Sequence, residues 1–260
     1  MKNDEEMSFW DHLEVLRWSI MRMVISVAVC FVGWFAVLPE VFEKFILGPT
    51  TCDFFLYRWL SKLSGLGGFF PNFASDSYSV EIINIHVTSQ FMTHISASLM
   101  LASVTAFPYF IFEVWRFVSP ALYENESRNM RTAFMGGTFM FYLGCLVGYS
   151  IVFPFTFRFL TEYQLSESIV NQISLNSYMD NFMLMVLMMG VVFELPMLIW
   201  ILTHLGLINR AFLQRYRKHA VVVLLVLAAF ITPTGDPFTL MVVFLPLYLL
   251  YEFGIILAKK

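Results

Sequence analysis

Six apolar runs constrain this chain more than any other feature: they lie near Trp18–Leu38, Phe91–Trp115, Thr132–Phe153, Asn181–Leu202, Ala220–Ile231 and Phe238–Ala258. A helix that crosses about 30 Å of hydrocarbon needs roughly 20 such residues in succession. With 58% of its 260 residues hydrophobic and only 13% charged, the chain has more apolar surface than one soluble core can bury, so it belongs in a lipid bilayer. Lipid offers no hydrogen bonds to the backbone, which leaves helices as the spanning form. The expected fold is all-α and polytopic, with six transmembrane helices. The fifth run reaches only about 18 Å at 1.5 Å per residue. Either it recruits Lys218 and His219 or the bilayer thins around it, and spans five and six are both expected to be short.

Lys and Arg set the orientation. The N-terminal segment, the loop after span two, the loop after span four and the C-terminus together hold twelve, against four in the intervening segments. Both termini are therefore expected on the cytoplasmic side. One membrane domain is predicted over 1–260, with a cytoplasmic amphipathic segment at 1–17, extracytoplasmic loops at 39–90 and 154–180, and cytoplasmic loops at 116–131 and 203–219. Asp4, Glu5 and Glu6 precede the first run and no small-residue cleavage site follows it, so that span is expected to be retained. No internal repeat is visible.

Several functions are disfavoured. There is no basic tract to attract nucleic acid. Cys30, Cys52 and Cys145 are isolated, which encodes neither a disulfide framework nor a zinc site. The histidines are scattered and no phosphate-cradling glycine loop follows a strand. The chain is read as a non-enzyme that needs no cofactor.

The charges that remain are the informative ones. In "SFWDHLEVLRWSIM", Ser8 and Asp11 stand at capping-box spacing and Phe9, Leu13, Leu16 and Ile20 form one apolar face. Asp11, Glu14 and Trp18 fall opposite, where the acids either await a partner or only solvate the helix and suit its positive end. In "RFVSPALYENESRNM", Glu124 and Glu126 lie between Arg116 and the pair Arg128 and Arg131. These acids are either a surface salt-bridge cluster or a binding site. Glu194 lies near the middle of span four, where a charge costs about 2.5–3.5 kcal/mol on insertion scales. A polar notch for a partner helix, a proton relay and a structural acid bonded to backbone freed by Pro196 all remain open. Pro108, Pro120, Pro154, Pro196 and Pro246 stand inside or at the ends of spans, where each removes a backbone donor and bends its helix, favouring a concave bundle.

These residues resemble the TatC family, the polytopic core of the twin-arginine protein translocase. "HLEVLR" (His12–Arg17) resembles its opening H-L-x-E-L-R. "AFPYFIFEVWRFVSPALYENE" (Ala106–Glu126) resembles its P-x-x-x-Y/F-Q/E-x-W-x-F-x-x-P-x-L-Y-x-x-E stretch. "FYLGCLVGYSIVFP", "VVFELP" and "ITPTGDP" follow in family order. The resemblance implies a glove-like membrane receptor for signal peptides of folded precursor proteins. It further implies TatA- and TatB-type single-span partners, export driven by the proton-motive force, residence in the bacterial cytoplasmic (inner) membrane and assembly in more than one copy. By position it assigns signal-peptide binding to Glu126, Arg17, Phe117 and Pro120, and partner or intramembrane roles to Glu194, Tyr142, Pro49 and Asp236. A guanidinium is a fixed fork of donors that a carboxylate meets bidentately, and two consecutive arginines need two such acceptors.

Two departures stand out. The family's N-terminal glutamate falls where this chain has Val15, so Glu14 and Asp11 become the candidates for the second acceptor. The family's T-P-P-D reads T-P-T-G-D at Asp236. The alternative function is a proton-coupled small-solute transporter or channel with Glu194 and His94 in its pathway. That class would show more midplane polar residues than these spans carry.

Overall fold

The protein is described from a computed structural model covering residues 9–51, 54–58, 80–118, 127–166, 168, 171–232 and 234–258; the side chains of 9–12, 118 and 127–133 fall outside the description. Helix α1 spans Phe9–Val41 and passes through a π turn at Phe42–Ile46 into a 3-10 turn at Gly48–Thr50. After a two-residue strand β1 (Ile82–Ile83) come α2 (Ser89–Val118) and α3 (Ser127–Val147). Another π turn at Gly148–Val152 leads into α4 (Phe153–Glu162). Strand β2 (Ile173–Ser174) precedes α5 (Leu175–Val192), α6 (Leu195–His204), the short α7 (Arg210–Arg215), α8 (Arg217–Ile231) and α9 (Pro237–Leu257).

All six expected runs lie on helices. Five of them are long and apolar enough to cross a membrane: Leu13–Thr50, Ser89–Phe117, Phe134–Glu162, Leu175–His204 and Pro237–Leu257. The last, at 21 residues, is the shortest of these, the others running from 29 to 38. The fifth run forms α8, which takes in Arg217, Lys218 and His219 to reach 15 residues, about 22 Å at 1.5 Å per residue. Pro108 and Pro246 lie inside α2 and α9, as does Pro39 in α1, while Pro154 and Pro196 open α4 and α6. At the break before α6 the missing N–H of Pro196 costs little, because first-turn donors lack an intrahelical acceptor. Pro154 directly follows the π turn, where the helical ladder is already shifted.

Helix α1 lies along α2. Trp34 Nε1 donates to Thr105 Oγ1 at 3.2 Å, and the His94 ring stacks on Phe35 at 4.0 Å. The core sits between α3 and α5, where Phe141, Phe153, Tyr178, Phe182, Met185 and Met189 are all buried. Glycine permits that closeness: a Cβ on Gly144 would stand 2.5 Å from the Met189 carbonyl oxygen, and one on Gly190 would stand 2.6 Å from Cys145 Sγ. Larger residues would force the helices apart.

At the end of the bundle away from the N-terminus, β1 and β2 pair in parallel, Ile82 with Ile173 and Ile83 with Ser174, joining the two loops of that side. Three tyrosines serve carbonyls where α1 unwinds, and one of them also reaches the start of α4. Tyr149 Oη donates to Phe45 O at 2.8 Å, Tyr178 Oη to Ile46 O, and Tyr57 Oη to Pro49 O and Pro154 O at 3.2 Å each. Helix ends leave such acceptors unpaired, and burying them without donors is costly.

Candidate functional site

At the N-terminal end, α1 and the last turns of α2 enclose a cleft of about 360 Å³ lined by Glu14, Val15, Trp18, Arg22 and Arg116. Glu14, Trp18 and Arg22 are four residues apart, so one face of α1 supplies them. Val15, which holds the position of the family acid, lines the same cleft. The turn of about 100° between neighbours therefore does not remove Glu14 from it. Arg17 is exposed, its guanidinium 6.0 Å from the Trp18 ring centre, and Phe117 is half-buried at the end of α2. Asp11 lies in the first turns of α1, but its side chain is outside the described residues, as are Pro120, Glu124 and Glu126 in the loop 119–126.

Behind the cleft is an ion pair that sequence reasoning missed. Arg22 donates from Nε to Glu113 Oε1 at 2.8 Å and from Nη2 to Glu113 Oε2 at 2.7 Å, while Tyr109 Oη donates to the same Oε1 at 2.9 Å. A further Nη2 bond runs to Ser19 Oγ at 3.0 Å. Glu113 is 1% exposed and Arg22 34%, so the carboxylate is tolerated in the helix because a fixed fork of donors meets it there. The signal was available: one cation near the start of the first apolar run and one anion near the end of the second stand at matching depth in two antiparallel spans.

Glu194 occupies the break between α5 and α6. It is the residue before the first turn of α6 but makes no side-chain capping bond. Its carboxylate lies against α3, where a Cβ on Gly137 would stand 3.1 Å from Oε2. Glu194 Oε1 and the neighbouring Thr138 Oγ1 are buried with no hydrogen-bond partner among the described residues. Tyr142, one turn beyond Thr138 on α3, is exposed.

The structure does not bring Pro49 or Asp236 to either place. Pro49 is buried in the 3-10 turn under Tyr57. Asp236 caps α9, accepting from Thr239 N at 2.8 Å, Thr239 Oγ1 at 2.5 Å and Thr234 Oγ1 at 2.6 Å. Burial pushes its carboxyl pKa up, and the bonds from Thr234 and Thr239 outweigh this, holding it below the ordinary aspartate value. Gly235 supplies the left-handed turn before it, at φ 60°. Among the described residues no group of three or more His, Cys, Asp or Glu stands close enough to share a metal ion.

The sequence model of the family described as "Sec-independent protein translocase protein (TatC)" matches residues 11–246. The chain belongs to the TatC family. A TatC from Blattabacterium sp. subsp. Periplaneta americana is 36% identical over 99% of this chain and 97% of its own length. One from Deinococcus radiodurans is 30% identical over 96% and 85%. Among solved structures, a TatC described as the twin-arginine translocase receptor superposes with a TM-score of 0.73, covering 95% of this chain and 97% of its own at 28% identity. The same receptor crystallised in DDM gives 0.77, covering 96% and 100% at 27% identity. This TatC is thus a polytopic helical membrane protein and a component of a protein translocase.

Proposed function

We propose that this TatC is the signal-peptide receptor of its translocase and binds two consecutive arginines at the end of the bundle that carries the N-terminus, facing the cytoplasm. The observation that carries this reading is the cleft, which places Glu14 and the Val15 position opposite Arg116 in the last turn of α2, ten residues before Glu126 in the sequence. Glu126 takes one guanidinium bidentately and Glu14 or Asp11 takes the other. Arg17, Phe117 and Pro120 shape the approach. Charge-assisted pairs of this kind contribute about 1.5–3 kcal/mol each, and a lysine cannot reproduce the fork.

Glu194, with Thr138 and Tyr142, is the notch for the single span of a TatA- or TatB-type subunit, whose polar group would satisfy the unpartnered carboxylate oxygen. Pro49 and Asp236 support the opposite, extracytoplasmic face. Translocation draws on the proton-motive force across the bacterial cytoplasmic membrane, and the receptor assembles in more than one copy.

The test is photocrosslinking of a twin-arginine signal peptide to the full chain in native membranes. Glu126→Ala is expected to reduce crosslinking sharply, and so is changing both peptide arginines to lysine, while membrane insertion is unchanged. Undiminished crosslinking with both changes removes the assignment.

A further inference from the structure

Among the described residues the cleft between α1 and α2 presents two guanidinia, Arg22 and Arg116, and one carboxylate, Glu14. Glu113 behind it neutralises Arg22, so Arg116 is the cation left facing Glu14. An arginine carries five N–H donors. Three from Arg22 reach Glu113 and Ser19, which leaves both Nη1 donors without an acceptor among the described residues on a side chain that is 34% exposed. Arg116 is exposed and has no partner among the described residues. Two guanidinia with unused donors that line one cleft can hold a phosphate.

The surroundings choose the source of that phosphate. Trp18 lines the same cleft and is 50% exposed, as tryptophans are at the boundary between headgroups and hydrocarbon. From Trp18 and Arg22 the same face of α1 continues through Ile25, Val29 and Val32, each more than half exposed, at the spacing of a continuous helical stripe. A headgroup in the cleft would lay its acyl chain along that stripe, whereas a soluble phosphate would make no use of it. Basic pockets between spans on the cytoplasmic side are the usual seats of phospholipid headgroups.

We propose that Arg22 and Arg116 hold the phosphate of an inner-leaflet glycerophospholipid beside Trp18. This rests on the reading above that places this end of the bundle in the cytoplasm. The lipid cancels the repulsion that Arg116 would otherwise exert on an arginine pair approaching Glu14, so the signal-peptide site is completed by the membrane itself.

Native mass spectrometry of the full chain, delipidated in a non-ionic detergent and titrated with dioleoylphosphatidylglycerol, tests the proposal without any peptide. Arg116→Gln is expected to weaken the tightest lipid binding by about tenfold, the loss of one charge-assisted pair. Arg116→Lys should retain much of the affinity, and Glu14→Gln should raise it by removing a like charge. Diolein, which has the chains and no phosphate, should not bind there. Unchanged affinity in Arg116→Gln, equal binding of diolein, or displacement of the lipid by millimolar inorganic phosphate at constant ionic strength overturns the proposal. Failure of the peptide crosslink leaves this titration unaffected, so the two readings fail separately.

Discussion

Arg22 and Glu113, 91 positions apart, meet through two parallel hydrogen bonds that join α1 to α2. The pair joins the Trp34–Thr105 and His94–Phe35 hydrogen bonds as a polar link across the α1–α2 contact. Removing one partner leaves the other charge without its fork, which destabilises the helix pair. Arg22→Gln and Glu113→Ala should each lower the melting temperature, read from thermal unfolding in detergent. Replacing both with methionine should restore most of the loss, because two apolar side chains leave nothing unpaired. A double variant whose loss equals the sum of the two single losses would show that the two side chains act independently.

The α3–α5 contact predicts opposite outcomes for two kinds of glycine. A methyl group at Gly190 meets Cys145 Sγ at 2.6 Å and Phe141 at 2.8 Å, while one at Gly33 meets nothing within 4 Å. Gly190→Ala should therefore destabilise by about 1–3 kcal/mol through overpacking. Gly33→Ala should be neutral, or stabilising by up to about 1 kcal/mol from helix propensity. Melting temperatures of the two variants, measured side by side, check the contrast.

Asp236 predicts a dependence on acid. Its pKa is held below the unfolded value of about 3.9, so its contribution is fully present above that value and is lost as pH falls through the lower folded value. Asp236→Ala should cost about 1–2 kcal/mol at neutral pH by removing the cap of α9. The cost should shrink as the buffer is taken below the unfolded value. A penalty independent of pH would mean that the carboxylate charge plays no part in the cap.

Glu194 predicts a separation of assembly from stability. Its buried oxygen has no partner among the described residues, so Glu194→Gln removes no bond made within them and should leave the unfolding midpoint unchanged or raised. Co-purification of a TatA- or TatB-type subunit should fall several-fold. A variant that melts earlier and keeps its partners would reassign the residue to the fold.

Periodicity and hydropathy make the helical runs legible because lipid forces each span to satisfy its own backbone. The shortness of α8 follows from counting residues, which leaves open whether Lys218 and His219 join it; the structure includes both. The Arg22–Glu113 pair becomes readable only once α1 and α2 are taken as antiparallel neighbours and their lone charges are compared by depth, since neither charge alone marks its mate. The clefts and notches are tertiary: nothing in the sequence places Glu194 against Gly137. Asp236 was read by position as a functional acid, and its local role as a cap lies in the spacing from Asp236 to Thr239, a signal of ordinary helix starts. Glu126 and Pro120 are assigned by family resemblance alone and lie outside the described residues.

The glycines between α3 and α5 have a further effect. Where backbone meets backbone, no compliant side chain remains to absorb sliding, and a shift by one residue would drive Phe141 or Phe193 into space now held by a missing methyl group. The depth at which Glu194 sits is thus fixed by a rigid ruler inside the protein, and changes in membrane thickness will move the lipids around that carboxylate without moving it along the helix that faces it.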